Sequence, residues 1–384
     1  MKRLVVLALF AFAFTCGLRA QAVDTTVCAV LKNPKSFDGK IVRIKGTVAA
    51  GFDQFIIKDA DCGAQVNAIW LSYPQGAKGK AGPLAVLEVQ PAHNFSGSFT
   101  PVTRTPVSLE KNKDFKQFDS MLAQAHNKGA GMCLGCTRYE VTATLVGRLD
   151  GVADALLKRD AAGKIVGFGG FGNLNGYPAR LVLQSVSDVS PKEVDFSSSD
   201  NITKGDLKLF TGNADLYDPV VNTQRSAAAL GATPAGAQAQ RAAGVFGKPG
   251  EHNGVSITYG ATNEAAAKDD AQGTHDSPDG ILFNCSLNLD RLEGDAQLRA
   301  ILHIGQHVSD LRSPIPGNEL APPFVLEYNA WIITTATAMA NGQKFLTLPG
   351  GYLVWNSGWP GAERTAKMDE SLTNYLNKEA FLTK

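Results

Sequence analysis

Ile41-Val42-Arg43-Ile44-Lys45-Gly46-Thr47-Val48 alternates apolar and polar side chains with a period of two. That period puts every second side chain on one face, so the stretch reads as a half-buried β-strand. Working outward, Phe55-Ile56-Ile57-Lys58 follows after a turn, and Ala68-Ile69-Trp70-Leu71-Ser72-Tyr73 reads as a third strand. A long polar insertion then leads to Phe115, Phe118, Met121, Leu122 and Ala125, whose spacing is helical. Tyr139 to Leu149 is a long fourth strand, and Leu181 to Val186 a fifth.

Three strands, a helix and two strands is the order of an oligonucleotide/oligosaccharide-binding (OB) barrel. The run Asn33-Pro34-Lys35-Ser36-Phe37-Asp38-Gly39-Lys40, continuing through Ile41 to Gly46, also resembles the opening of OB-like domains in uncharacterised secreted bacterial proteins. The resemblance covers about residues 25–190. It implies a fold and says almost nothing about function.

Phe196-Ser197-Ser198-Ser199-Asp200 carries no apolar periodicity and reads as a linker. Beyond it, Ser226 to Gly250 is rich in Ala, Gly and Gln, with a helix expected around Ala237 to Ala243. Val255–Tyr259 and Ile281–Cys285 read as short strands. Helices are expected at about Asp295–Leu311, Pro322–Met339 and Glu363–Leu376, with an extended segment over Phe345–Trp355.

The chemistry-bearing pattern lies in the first of those helices. His303 and His307 are four residues apart, one helical turn, and Glu327 follows twenty residues after the second. Two imidazoles so spaced can grip one metal ion, and a carboxylate from the next helix can complete a three-ligand zinc site. Around the helix, Leu298, Ile301, Leu302, Gly305 and Val308 form the expected core stripe. The histidines then face a cleft or solvent. Asp310 is placed to accept an imidazole N–H and so set the ring's tautomer.

The spacing of His303, His307 and Glu327 resembles gluzincin-type zinc metallopeptidases, whose signature is H-E-x-x-H with a glutamate on the next helix. The resemblance covers about residues 250–345 and implies zinc held by those three residues. It departs at the general base, because the position after the first histidine is Ile304. A positioned base supplies roughly 10²–10⁴-fold in rate. Without one, efficient peptidase activity is not expected, and the enzyme question stays open.

Met1-Lys2-Arg3, the apolar run Leu4 to Cys16 and Ala20-Gln21-Ala22 form the pattern of a secretory leader. Its removal takes away Lys2, Arg3 and Arg19 and leaves 34 basic against 36 acidic residues. Nothing in that balance suggests a polyanionic partner, so no nucleic-acid partner is expected. No stretch reads as a membrane span. Five cysteines remain: Cys28, Cys62, Cys133, Cys136 and Cys285. In an exported chain disulfides come first, with Cys28–Cys62 preferred and Cys285 the odd thiol. Cys133 and Cys136 form a second bridge, a redox pair or half a metal site.

Gly167-Phe168-Gly169-Gly170-Phe171-Gly172 has the composition of a phosphate loop, but a strand follows it, so no helix N-terminus awaits an anion. Phe168, Phe171 and Tyr177 form either an aromatic platform for a sugar or peptide, or rings folded back on the barrel. No Gly-x-Ser-x-Gly elbow supports a serine hydrolase of that type.

The expectation is an α+β protein, periplasmic or secreted. Residues 1–22 are the leader, 23–195 the OB-like five-stranded barrel, 196–200 the linker, and 201–384 a mainly helical zincin-like domain with a few short strands. Three roles stay open: a zinc-binding, catalytically degenerate protein that binds a peptide, protein or glycan; an active zinc hydrolase with an unusual base; and a metal-free structural or adhesive envelope protein.

Overall fold

The computed structural model describes residues 21–59, 62, 68–92, 104–123, 139–152, 158–159, 161, 165–167, 169–193, 219–232, 234–248, 251–259, 277, 279–288, 295–312, 330 and 334. The protein is mixed α+β, with a closed five-stranded barrel at its N-terminal end. The barrel strands are β2 (Ile41–Ala50), β3 (Phe55–Lys58), β4 (Ala68–Ser72), β6 (Tyr139–Gly151) and β9 (Ala179–Glu193), while β7 (Lys158–Arg159) and β8 (Ile165–Gly167) pair only with each other. They run in the order β2-β3-β4-β9-β6, and β6 pairs back onto β2 to close the ring. Only β4–β9 is parallel among these pairings. Closure removes the exposed strand edges on which an open sheet would aggregate. The alternation in β2 works as expected, with Val42, Ile44 and Val48 fully buried.

Helix α2 (Lys113–Ala123) lies between the third and fourth barrel strands and buries Phe115, Phe118 and Leu122 in the barrel core. A short strand β1 (Val23–Thr25) runs parallel to the start of β2. Helix α1 (Val27–Lys32) follows, its first turn capped by the Thr26 hydroxyl accepting from the Ala29 amide. Cys28 and Cys62 form the expected disulfide. By chain-entropy reasoning, closing a loop of that length stabilises the fold by about 4 kcal/mol.

The polar insertion after β4 contains a strand that its sequence concealed, β5 (Ala85–Pro91). It leaves the barrel and joins a second sheet of order β10-β11-β5, with β10 at Val255–Tyr259 and β11 at Ile281–Leu287. Seven residue pairs link β5 to β11, from Ala85 opposite Leu287 to Pro91 opposite Ile281. The barrel segment and the C-terminal segment therefore share one sheet. The other edge of β5 is met by two side-chain amides. Asn173 Oδ1 accepts from the Leu87 amide, while Asn175 accepts from the Val89 amide and donates to its carbonyl. Buried backbone polar groups must be paired, and these asparagines do what a neighbouring strand would do.

The described C-terminal region also contains helices α3 (Pro219–Ala229), α4 (Pro234–Gly244) and α5 (Asp295–Arg312). The α5 range agrees with the sequence reading, α4 extends beyond the expected Ala237–Ala243 at both ends, and α3 was not among the expected elements. The leader, the 196–200 linker, and the segments expected at Pro322–Met339, Phe345–Trp355 and Glu363–Leu376 lie largely or wholly outside the described residues. Among the described residues, no helix is long and apolar enough to cross a membrane.

One end of the barrel is tied by buried charge. Asp150, fully buried, receives Arg148 at 2.8 Å, Arg180 at 2.7 Å and Arg104 at 3.0 Å. Arg180 is its cross-strand partner, and Arg148 stands two residues earlier on the same strand face. Arg104 also reaches Asp38 at 2.7 Å, whose carboxylate accepts from the Gly151 amide. Burial alone would raise the Asp150 carboxyl, but Arg148 and Arg180 outweigh it and hold the group below its usual range. Asp38 is lowered in the same way, against burial, by the Gly151 amide and Arg104.

A carboxyl with a depressed folded pKa stabilises the fold above its unfolded pKa and loses that contribution as pH falls through the folded value. Stability measured by urea unfolding should therefore fall below about pH 4. At neutral pH, Asp150→Asn should cost about 3–5 kcal/mol, because the guanidiniums stay charged without their counter-ion. Wild-type stability in that variant would show that the cluster is not structural.

Candidate metal centre

The site begins at the tip of the β2–β3 hairpin, Gly51-Phe52-Asp53-Gln54. The Gly51 amide donates to the Gln54 carbonyl and closes the turn. The Phe52 carbonyl accepts from the amides of both Leu84 and Ala85, at 2.6 and 2.9 Å. The tip is thereby fastened to the start of β5. Phe52 itself is fully buried in the core that β5 and β11 share with α5.

Helix α5 is buried on more sides than its sequence implied. Ala300, Ile301, Ile304, Val308 and Leu311 pack into that shared core. Leu298 and Leu302 instead meet Ala227, Ala239, Ala242 and Ala243 of α3 and α4. Alanines let α4 come close, and Gly305 sits against the Ala242 carbonyl, where an added Cβ would lie 2.0 Å from the oxygen. His303 and His307 are both fully buried. Of the two expected settings, a cleft or solvent, solvent is excluded: the hairpin tip packs on His303 while α3 and α4 cover the neighbouring face of α5.

The two imidazoles lie edge to face, with centroids 4.6 Å apart and Nε2 atoms separated by 3.0 Å. Asp53 Oδ2 lies 3.6 Å from His303 Nε2. The donor atoms of Asp53, His303 and His307 all fall within 4.8 Å of one another, a group that could hold a metal ion. Metal–nitrogen and metal–oxygen bonds of about 2.0–2.1 Å at tetrahedral angles separate neighbouring donors by roughly 3.4 Å. The 3.0 and 3.6 Å separations bracket that value. The ring edge of Phe52 packs on His303, with centroids 5.1 Å apart, and supplies an apolar wall. Asp53 is the donor nearest solvent, its side chain 11% exposed.

Asp53 was not legible as a ligand, since an aspartate in a tight hairpin turn reads as ordinary turn chemistry. Glu327, the carboxylate that the sequence pairs with the histidines, lies outside the described residues. The Asp310 carboxylate accepts from Gln306 Nε2 at 2.7 Å. Gln306 in turn accepts from Gln238, and Gln238 from Arg241, so α4 is joined to α5 by a buried polar chain. Ile304, at the position of the peptidase base, is sealed in the apolar core. A glutamate placed there would be buried among Phe283, Ile301 and Val308.

Phe171 and Tyr177 bridge each other through paired backbone hydrogen bonds. Their rings pack on the cluster of Trp70, Ile56 and Val86, and Arg180 stacks over Phe171 at 4.9 Å. Phe168, Cys133 and Cys136 lie outside the described residues. Cys285 is a free, buried thiol in β11, and burial pushes its pKa far above the usual thiol range. No protein-family model, curated protein or solved structure matches the chain. The gluzincin resemblance therefore rests on the residues alone.

Gly305→Ala should push α5 away from α4 and lower stability by about 1–3 kcal/mol, the usual effect of overpacking. Thermal unfolding checks this. An unchanged midpoint would mean that the two helices can separate freely at Gly305.

Proposed function

We propose that this is an exported metal-binding protein in which Asp53, His303 and His307 hold a zinc ion, and that it acts by binding a peptide, protein or glycan rather than by hydrolysis. The convergence of three donors from distant parts of the chain carries the reading. Nitrogen and carboxylate donors at near-tetrahedral spacing suit zinc. Both Nε2 atoms must then present lone pairs, which places the ring protons on Nδ1. Without an ion, the 3.0 Å contact needs one ring to donate from Nε2 to the other. The missing base and the apolar burial of Ile304 argue against a peptidase mechanism. The leader pattern and the Cys28–Cys62 disulfide support export.

The test is the metal content of the purified mature protein, together with its thermal unfolding in zinc. The wild type is expected to hold about one zinc per chain, and zinc at 100 times its Kd should add about 2.7 kcal/mol of stability. Asp53→Ala and the paired His303→Ala/His307→Ala variant should both lose the ion and the shift. If the wild type stays zinc-free and unshifted after zinc is supplied, the reading fails. It fails for Asp53 if only Glu327→Ala abolishes binding.

A further inference from the structure

A second group of donors lies on the barrel, away from the histidines. Cys28 sits on α1, Asp59 directly follows β3, and the Cys62 amide donates back to the Asp59 carbonyl. The Cys28 and Cys62 Cα atoms are 5.1 Å apart. Asp59 Oδ2 lies 3.8 Å from Cys28 Sγ, and the three donor atoms fall within 4.8 Å of one another. All three residues are half-buried, so reductant and ion can both reach them. A disulfide needs no carboxylate beside its sulfurs. Two thiolates and a carboxylate, however, form a good donor set for zinc, whose sulfur–oxygen edge is about 3.5 Å at tetrahedral angles.

We infer that this cross-link has two chemical forms: a disulfide when oxidised, and a zinc site held by Cys28, Cys62 and Asp59 when reduced. A dithiol reductant delivers two electrons and two protons. The S–S bond breaks, two thiols form, and the dithiol leaves as its own disulfide. Zinc then displaces the two thiol protons, forming two Zn–S bonds and one bond to the Asp59 carboxylate, with water completing the tetrahedron. Either form ties α1 to the segment after β3. The inference does not rest on the histidine site, because none of its donors is shared.

The test uses the full mature chain carrying Cys133→Ser and Cys136→Ser, with and without dithiol reduction, and cobalt(II) as a spectroscopic stand-in for zinc. Reduced protein is expected to gain thiolate-to-cobalt charge-transfer absorption, which zinc then abolishes. Oxidised protein should show none, whatever its histidine site binds. Asp59→Asn should weaken the reduced site by about tenfold or more, since even residues that only support metal ligands cost that much. Far-ultraviolet circular dichroism follows the barrel throughout. The inference is overturned if reduced, folded protein gives no sulfur–cobalt band, if Asp59→Asn binds as tightly as its parent, or if reduction unfolds the barrel and zinc does not restore it.

Discussion

The pairing of β5 with β11 is the constraint on which the rest of the molecule depends. Its seven residue pairs commit a strand from the barrel segment to a sheet otherwise built from the C-terminal part of the chain. The backbone hydrogen bonds there are matched by an apolar layer in which Leu87 and Val89 pack with Phe283, Cys285 and Leu287. Because the Phe52 carbonyl is bound by the first amides of this strand, the hairpin tip is carried to the same place. Asp53 then meets the α5 histidines where Phe52, its neighbour in the hairpin, packs on His303.

The site therefore sits where two independently patterned regions are joined, and its surroundings favour electrostatics. A carboxylate and two imidazoles lined by Phe52 and the shared core feel less of the screening that water provides. Burial of that kind makes polar groups costly unless something satisfies them. Helix α5 carries other such groups close by, with Gln306 accepting from Gln238 and donating to Asp310. One face of this helix is thus a polar seam inside an apolar body. Sequence composition alone does not distinguish such a seam from a solvated surface.

The barrel was legible because strands with one buried face announce themselves by alternation, as β2 does from Ile41 to Val48. The α5 helix and the Cys28–Cys62 bridge were legible too, the first from its spacing and the second from cysteine arithmetic. β5 was not, because Ala85-Val86-Leu87-Glu88-Val89 stands between glycine- and proline-rich stretches and its partner lies far along the chain. Full burial of the histidines is hard to read locally for a related reason: small residues on α3 and α4 carry little hydrophobic signal, yet they permit the close approach that covers α5. Asp53 shows the general limit. Local patterns report which element a residue belongs to, whereas a site assembled across a sheet depends on partners that no local window contains.

The asparagine pair beside β5 has a consequence for the order of assembly. Ala85 waits for a partner about two hundred residues downstream, and contacts of such range form slowly because the intervening chain must first be brought together. During synthesis the N-terminal part emerges first, leaving β5 with two unsatisfied edges. Asn173 and Asn175 arrive roughly ninety residues later and shield one of them, well before β11 exists. Three backbone groups in the middle of that edge are thus hidden from other nascent chains during the interval when intermolecular strand exchange is most dangerous.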